Sequence, residues 1–424
     1  MLRQGFRRSA VRLAATAALS AALVTTGGCD FGEPAALAAP RYACFQITDP
    51  YAAGGGWHRG NFHMHSSHSD GAMSGSKLIE LYQQYGYSVL SISDHNQYGD
   101  QDGGVAASQQ VDSLVHDWNG DGIIHPDHVF GSGREAYVRD WTQPALAWVR
   151  DGWQRRLTAD WKESPIVIPG AEATWGGNHV GLIGHPGGRI ESPTETPGYF
   201  TRVHEAGGLI YLAHPGDWNA TPYNLPRTVD LRLFDAIEIM NGLRLTKAFE
   251  APSTKADAGG EDRECGANVP YDATPLWDGL LSRGWRVWGM ANDDSHTWVG
   301  APNAFPFSAF NMIRTADTTA AGFIAALRRG SFYGSTGIFF VDLGVTDGAV
   351  TVWAPEAERI RFIGWGGRVL QETTGPHAGY HPQGDEGYVR VEASAAPGHN
   401  PWPRQAWSQP FWIQPANCKP GTHE

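Results

Sequence analysis

Positive charge is scarce in this sequence. Its 32 lysines and arginines face 44 aspartates and glutamates, for a formal net charge of −12. Four of those cations, Arg3, Arg7, Arg8 and Arg12, lie in residues 1–28, which hold no acid. A chain this acidic is a poor candidate for binding nucleic acid through its overall field, so no nucleic-acid partner is expected. Cysteine is also scarce, and the spacing of Cys29, Cys44, Cys265 and Cys418 resembles no zinc–thiolate site. Long apolar runs are missing. Leu13–Val24 is apolar but too short to span a bilayer as an ordinary helix, and no other stretch comes closer. There is no internal repeat.

What is present is glycine (53), proline (27) and tryptophan (17), a composition of many loops on a rigid scaffold rather than of a helical bundle. Apolar residues make up 41%, enough for a sizeable core and too many for global disorder. A chain of 424 residues predicts two or three units, at about 150 residues per domain. The basic start followed by a short apolar run reads as a secretory signal over residues 1–28. Arg7-Arg8 adds a weak twin-arginine flavour. Thr26-Gly27-Gly28-Cys29 resembles a lipoprotein cleavage box, and Ala36-Leu37-Ala38 is a rival site of the ordinary kind. The expected destination is the periplasm or exterior, or a lipid anchor on the envelope, which would be the chain's contact with membrane. Export permits disulfides, and Cys44 with Cys418, near the two ends of the folded part, is the favoured pair.

Residues 29–56 read as a linker rich in Pro, Ala and Gly. From residue 57 to 338, short apolar runs alternate with helical stretches. The runs are Phe62–His65, Val89–Asp94, Ile166–Pro169, His179–Ile183, Leu209–His214, Ala236–Asn241 and Val287–Asp293. Helices are expected over Ser76–Tyr85, from a Thr274 cap with Pro275 first to Gly284, and over Thr319–Arg329. Such alternation predicts an α/β unit with a parallel sheet or barrel. Residues 339–424 switch to period-two runs with turns, predicting a small β-sandwich-like domain. Residues 100–160 and 243–272 are polar insertions.

Polar residues crowd the C-terminal ends of these runs, the rim where barrel enzymes place their chemistry. They are His63, His65, Asp70, His95, Glu172, His179, His214, Asp294 and His296. A lone histidine is usually a satisfied or surface residue, but six histidines and three carboxylates at successive strand ends are different. Buried together without metal they would leave unpaired charge at several kcal/mol each. Divalent ions remove that cost, and nine ligands are too many for one tetrahedral ion. Two or three ions are implied, and mixed His/carboxylate ligation suits zinc, manganese or iron.

His63-x-His65-x4-Asp70-Gly71, Asp94-His95, Gly170-Ala171-Glu172, His179, Ala213-His214-Pro215 and Asp294-x-His296 together resemble the ordered motifs of the PHP (polymerase and histidinol phosphatase) superfamily. The export signal and β-tail resemble a carbaryl-hydrolase-like bacterial branch of it. The resemblance implies a distorted seven-stranded (β/α) barrel with its metals on the C-terminal rim. It also implies ligand roles. His63, His65, Glu172 and Asp294 would hold one ion; Glu172 would bridge to a second held by His179 and His214; Asp70, His95 and His296 would hold a third. Glu172, Asp294 and His296 are the candidates for catalytic roles. The resemblance, through the family's Asp-x-His spacing, implies Asp294 rather than Asp293 as the ligand. Asp94 is expected to orient His95 or a neighbouring loop, and His68 and His185 to lie outside the ligand set.

The chemistry expected of such a site is hydrolysis of a small, anionic ester substrate by a metal-bridging hydroxide. A phosphoesterase is favoured. A carboxyl or carbamate ester hydrolase is the alternative on the same site, and a metal-bearing envelope-binding module the alternative without chemistry. Ser66, Ser67 and Ser295 lack a dedicated base for a nucleophilic role. Arg59, Arg134, Arg139 and Arg189 are candidate substrate contacts whose default is solvated surface. Trp175, Trp218 and Trp298 either shape a pocket or fill the core.

A separate motif, Asp117 to Ile124, matches the first half of a calcium loop. Asp117, Asn119, Asp121 and the Ile123 carbonyl would ligate, with Gly122 at the sharp turn. His128 stands at position 12 where glutamate is usual, so Asp127 would have to serve. The competing reading is a solvated Asp/Gly turn. A structural calcium ion predicts that a calcium chelator changes the melting temperature or the tyrosine and tryptophan fluorescence; no change in either removes the idea.

Overall fold

The computed structural model describes residues 38–66, 68–71, 73–96, 165–175, 178–184, 196–215, 233–243, 272–296, 307–397 and 404–417. The expected signal segment, Ser67, the calcium motif, His185, Arg134, Arg139, Arg189, Trp218, Trp298 and almost all of the two polar insertions lie outside them.

The first part of the chain runs β1 (Phe45–Thr48), β2 (Gly56–Asn61), α1 (Gly75–Gln84), β3 (Tyr87–Leu90), β4 (Ile166–Val167), β5 (Gly170–Trp175), β6 (Asn178–Ile183), α2 (Thr196–Glu205), β7 (Leu209–Leu212) and β8 (Ala236–Asn241). It continues through α3 (Thr274–Leu281), β9 (Trp288–Asn292), β10 (Phe310–Thr315), α4 (Ala320–Arg328) and β11 (Phe332–Ser335). The rest is all β: β12 (Asp342–Thr346), β13 (Ala349–Trp353), β14 (Arg359–Gly364), β15 (Arg368–Thr374), β16 (His377–Tyr380), β17 (Tyr388–Ala395), β18 (Arg404–Ser408) and β19 (Phe411–Pro415).

Three of the four helices, α1, α3 and α4, form where the sequence predicts them, whereas α2 is not among those expected. Ser74 caps α1 by accepting from the Lys77 N–H, and Thr319 caps α4 by accepting from Gly322. The cap of α3 differs from expectation. Thr274 is already helical, Ala273 is the N-cap, and the Asp272 carboxylate accepts from both the N–H and the hydroxyl of Thr274. A carboxylate two residues upstream is the stronger acceptor and displaces the threonine from that role.

The sheets depart from a uniform parallel barrel. β2–β3–β4 and β7–β8–β9 pair in parallel, whereas β5–β6–β7 and β2–β10–β11 pair antiparallel. Strands β5 to β9 form one five-stranded sheet, and β11–β10–β2–β3–β4 belong to another. With four helices among the described residues, the fold is mixed α/β with many strands, and the expected seven-stranded (β/α) barrel is not established.

The two sheets nevertheless meet at both margins. On one side the Ile168 N–H reaches the Leu90 carbonyl and the Glu172 N–H reaches Asp94. On the other, side-chain amides stand in for a partner strand. Asn311 donates to and accepts from Ala291, and Gln409 does the same with Gly289. Both amides are fully buried, so the backbone edge of β9 is satisfied without a strand beside it.

The C-terminal strands do not stand apart from this scaffold. β18 pairs with β11, β17 joins β18 to β14 and β19, and β1, from the segment expected to be a linker, pairs with β19. One buried cluster includes Met64, Leu78 and Tyr82 together with Phe340, Val389 and Phe411. Cys44 is disulfide-bonded. The Ala416 N–H donates to the Cys44 carbonyl, two residues before Cys418, which itself lies outside the described residues. No helix among the described residues is long and apolar enough to cross a membrane.

A buried ion pair joins α3 to β17. The Arg390 guanidinium donates Nε to Asp278 Oδ1 at 2.8 Å and Nη2 to Oδ2 at 2.6 Å, and the Tyr388 hydroxyl donates to Oδ1 at 2.9 Å. Replacing one partner strands the other charge in the core. Arg390→Met is therefore expected to cost about 3–5 kcal/mol of unfolding free energy, and the double change Asp278→Leu with Arg390→Met to recover much of it. Urea unfolding checks this; a single-variant loss below about 1 kcal/mol contradicts it.

Candidate metal centre

The chain reaches the site by leaving its strands. β2 ends at Asn61, so His63 and His65 sit just beyond it rather than on it, correcting the expected Phe62–His65 strand. What holds this segment is pairing across to the end of β9. The Asp294 N–H donates to the His63 carbonyl, the His65 N–H donates to the Ser295 carbonyl, and Met64 bridges Ser295. Two glycines make room for it. A Cβ on Gly71 would lie 2.1 Å from the His65 carbonyl oxygen, and one on Gly181 would lie 1.8 Å from Cζ of the Tyr211 ring. That ring carries its hydroxyl to the Phe62 carbonyl. The Gly71 of the sequence motif is thus required by close backbone approach, without any ligand role.

Glu172 lies in β5, a strand not expected from sequence, and is fully buried at the centre of the cluster. Its Oε1 lies 3.2 Å from His63 Nε2, 2.9 Å from His179 Nδ1 and 3.0 Å from His214 Nε2. Its Oε2 lies 3.3 Å from His65 Nε2 and 3.1 Å from His95 Nδ1. Asp294 Oδ1 stands 3.3 Å from His63 and 3.2 Å from His65. Asp70 stands 3.4 Å from His65, 3.6 Å from His95 and 3.3 Å from His296. All nine residues singled out in the sequence therefore come together.

Four sets of these side chains bring their ligand atoms within 4.8 Å of one another: His65/Asp70/His95/His296, His63/His65/Glu172, His63/His214/Asp294 and His95/Glu172/His179. The first matches the expected third-ion set with His65 added. His179 and His214, expected to share an ion, fall into different sets.

The donor chemistry fits divalent ions. A neutral imidazole has one N–H, and five imidazoles cannot all satisfy one carboxylate and one another. His63 Nε2, His65 Nε2 and Glu172 Oε2 are buried and make no hydrogen bond. All belong to the set His63/His65/Glu172. Nitrogen and oxygen lone pairs converging in one dry space are what a cation needs and what protein alone leaves unsatisfied.

Electrostatics point the same way. Burial disfavours the imidazolium form of His63 and His65, but Asp294 and Glu172 beside them outweigh it. The pKa of His63 is raised well above the ordinary range and that of His65 to about 10. Burial likewise favours the protonated forms of Glu172 and Asp294, and the surrounding histidines override it, holding both carboxyls far below their usual values. Asp70 is also held low against its burial, by His296 and His95.

Backbone strain collects here. His214 (φ 25°) and Asp294 (φ 50°) both adopt positive φ, as does Asn96 (φ 54°) beside His95. Such residues cost about 1–3 kcal/mol each and persist where surrounding structure holds them.

The neighbours sort themselves by contact. Asp94 accepts from the Ser66 N–H and from the hydroxyls of Ser66 and Ser69, so it braces the loop after His65. Asp293 turns away from the cluster, to the Tyr82 hydroxyl, the Phe307 N–H and Asn61; burial pushes its carboxyl up to about 7. The Ser66 and Ser295 hydroxyls are engaged by Asp94 and Tyr82. His68 belongs to none of the four sets. Arg59, a candidate substrate contact, is instead buried with its guanidinium 3.8 Å from the Phe310 centroid and 4.3 Å from that of Tyr87. Sequence reasoning missed Glu238, a buried carboxylate that meets His63 Nδ1 at 3.0 Å. Its signal was one acid inside the otherwise apolar run Ala236–Met240.

No protein-family model matches the chain, and no curated protein matches it. Among solved structures it is similar to a two-domain protein from Bacteroides vulgatus that contains a predicted PHP-like metal-dependent phosphoesterase. Identity is 13% and the TM-score 0.39, with 86% of this chain and 95% of that chain covered.

Because His63 and His65 hold protons well above their ordinary pKa, cations must displace those protons. Affinity is expected to rise with pH from neutrality up through about 10, the range over which His65 loses its proton. Titrating metal-free protein with zinc or manganese in weak buffer at neutral pH should release protons; binding without proton release contradicts the assignment.

Proposed function

We propose that this chain is an exported, metal-dependent hydrolase of PHP type, acting on phosphoesters. The observation that carries the reading is the convergence of five imidazoles on the two oxygens of Glu172, with buried, unsatisfied lone pairs between them. The export component rests on residues 1–28 alone.

His63, His65, Glu172, His214 and Asp294 form the closed side of the site, and Asp70, His95 and His179 the open side. Their side chains are 44%, 27% and 31% exposed, against 0–7% for the others. Substrate reaches the cluster from that side. Bound divalent ions supply Lewis acidity and lower the pKa of water from 15.7 towards about 7. The protein keeps Glu172 and Asp294 ionised and aligned, so negative charge is already in place to hold more than one cation. His65, Asp70, His95 and His296 add a further ligand set at the mouth. That much positive charge is what the oxygens of a transferring phosphoryl group call for, and it favours phosphoester over carboxyl or carbamate ester as substrate. The Ser66 and Ser295 hydroxyls are tied up elsewhere, which supports water as the attacking group.

Zinc, manganese and iron all suit this donor set. The test is hydrolysis of p-nitrophenyl phosphate, its bis ester and p-nitrophenyl acetate with added manganese or zinc. Turnover of a phosphate ester is expected. His63→Ala or Glu172→Ala should lower it at least about 100-fold, beyond the 10–100-fold cost of losing an outer partner. Turnover of the acetate alone would move the reading to carboxyl esters, and metal binding with no turnover would favour an envelope-binding module.

A further inference from the structure

Strand β8 ends among the ligating side chains yet contributes none of them. It contributes Glu238, which is fully buried. Each of its oxygens meets two donors. Oε1 faces His63 Nδ1 at 3.0 Å and accepts from Asn292 Nδ2 at 3.0 Å. Oε2 accepts from the His214 N–H at 2.8 Å and from Asn241 Nδ2 at 2.8 Å. Asn241 Nδ2 also reaches Asp294 Oδ2, at 3.1 Å. His63, His214 and Asp294 come from the ends of three different strands, β2, β7 and β9, and together form one of the four candidate ligand sets.

We propose that Glu238 is a positioning residue whose carboxylate, with Asn241 as its arm to Asp294, assembles one divalent-cation site from three separate strand ends. The inference rests on the metal-hydrolase reading and deepens it. A carboxylate is the side chain for this place because it accepts about four hydrogen bonds and donates none, and four donors surround it. By accepting at His63 Nδ1 it fixes the tautomer whose Nε2 lone pair faces the cluster, and Nε2 is the buried atom that finds no hydrogen bond in the protein. By accepting the His214 N–H it holds that residue in a left-handed conformation and so sets the direction of the imidazole. With all its acceptor positions taken, Glu238 has none left for an ion of its own. Glutamine cannot replace it: whichever way the amide turns, its NH2 faces two of the four donors.

The test uses the full chain stripped of metal, with zinc affinity measured against a chromophoric chelator and geometry read from the visible spectrum of the cobalt(II) form. In Glu238→Gln, one class of site is expected to weaken about 10–100-fold, with an altered cobalt spectrum at saturation. The class containing His65, Asp70, His95 and His296 should keep its affinity. Asn241→Ala leaves the carboxylate in place and should weaken the same class by less, and it carries the test if Glu238→Gln does not fold. Affinity and cobalt spectrum unchanged in both variants, or a loss shared equally by all classes, would overturn the bracket and leave Glu238 a general stabiliser of the fold. No metal binding by the unaltered chain would overturn the metal reading itself, and the bracket with it.

Discussion

One carboxylate organises this molecule's polar interior. Glu172 is buried and has five imidazoles within 3.3 Å of its two oxygens. Removing an ionised carboxylate from water costs several kcal/mol unless opposite charge compensates it. Without cations, protons on histidine would have to supply that compensation, and the carboxylates beside His63 and His65 raise their pKa in that direction. Cations would do the same with fewer unsatisfied atoms. The rest of the architecture can be understood as the means of bringing histidines from five positions in the chain to this one acid.

Two adjacent acids show how fine that arrangement is. Asp293 and Asp294 follow one another at the end of β9, and a left-handed residue at Asp294 sends their side chains to different surroundings. Asp294 meets histidines and is held far below the usual carboxylate range, despite its burial. Asp293 meets a tyrosine, an amide and a backbone N–H, and burial pushes it up to about 7. One is a candidate ligand. The other pins β2, α1 and the segment at Phe307 behind the site. Asp94 is likewise a buried acid bracing the loop after His65, and Glu238 one that meets His63 and the His214 N–H.

Much of the candidate site was legible in the sequence because its ligands punctuate apolar runs, and the nine side chains named from that pattern lie in one cluster. The strands themselves were legible where burial on both faces makes them wholly or largely apolar, as in Leu209–Leu212 and Ala236–Asn241. β15 and β16 were not, because half-exposed tail strands carry residues such as Gln371 and His377; nor was β18, which opens on Arg404 and Gln405 before its buried half. The mixed strand directions were also hidden, since an apolar run says nothing about its neighbour's polarity. Arg59 was misread because a guanidinium can be buried over aromatic rings as well as solvated. Glu238 escaped notice because a single acid in a strand looks like an exception until four donors are seen around it.

The most direct measurement is anomalous diffraction from crystals grown with manganese or zinc. The account predicts two or three peaks inside the cluster, one of them in contact with Glu172 and His63 at coordination distances of about 2.0–2.2 Å. Ions bound elsewhere while the cluster stays empty, or His63, Glu172, His214 and Asp294 pointing to separate places, would contradict it.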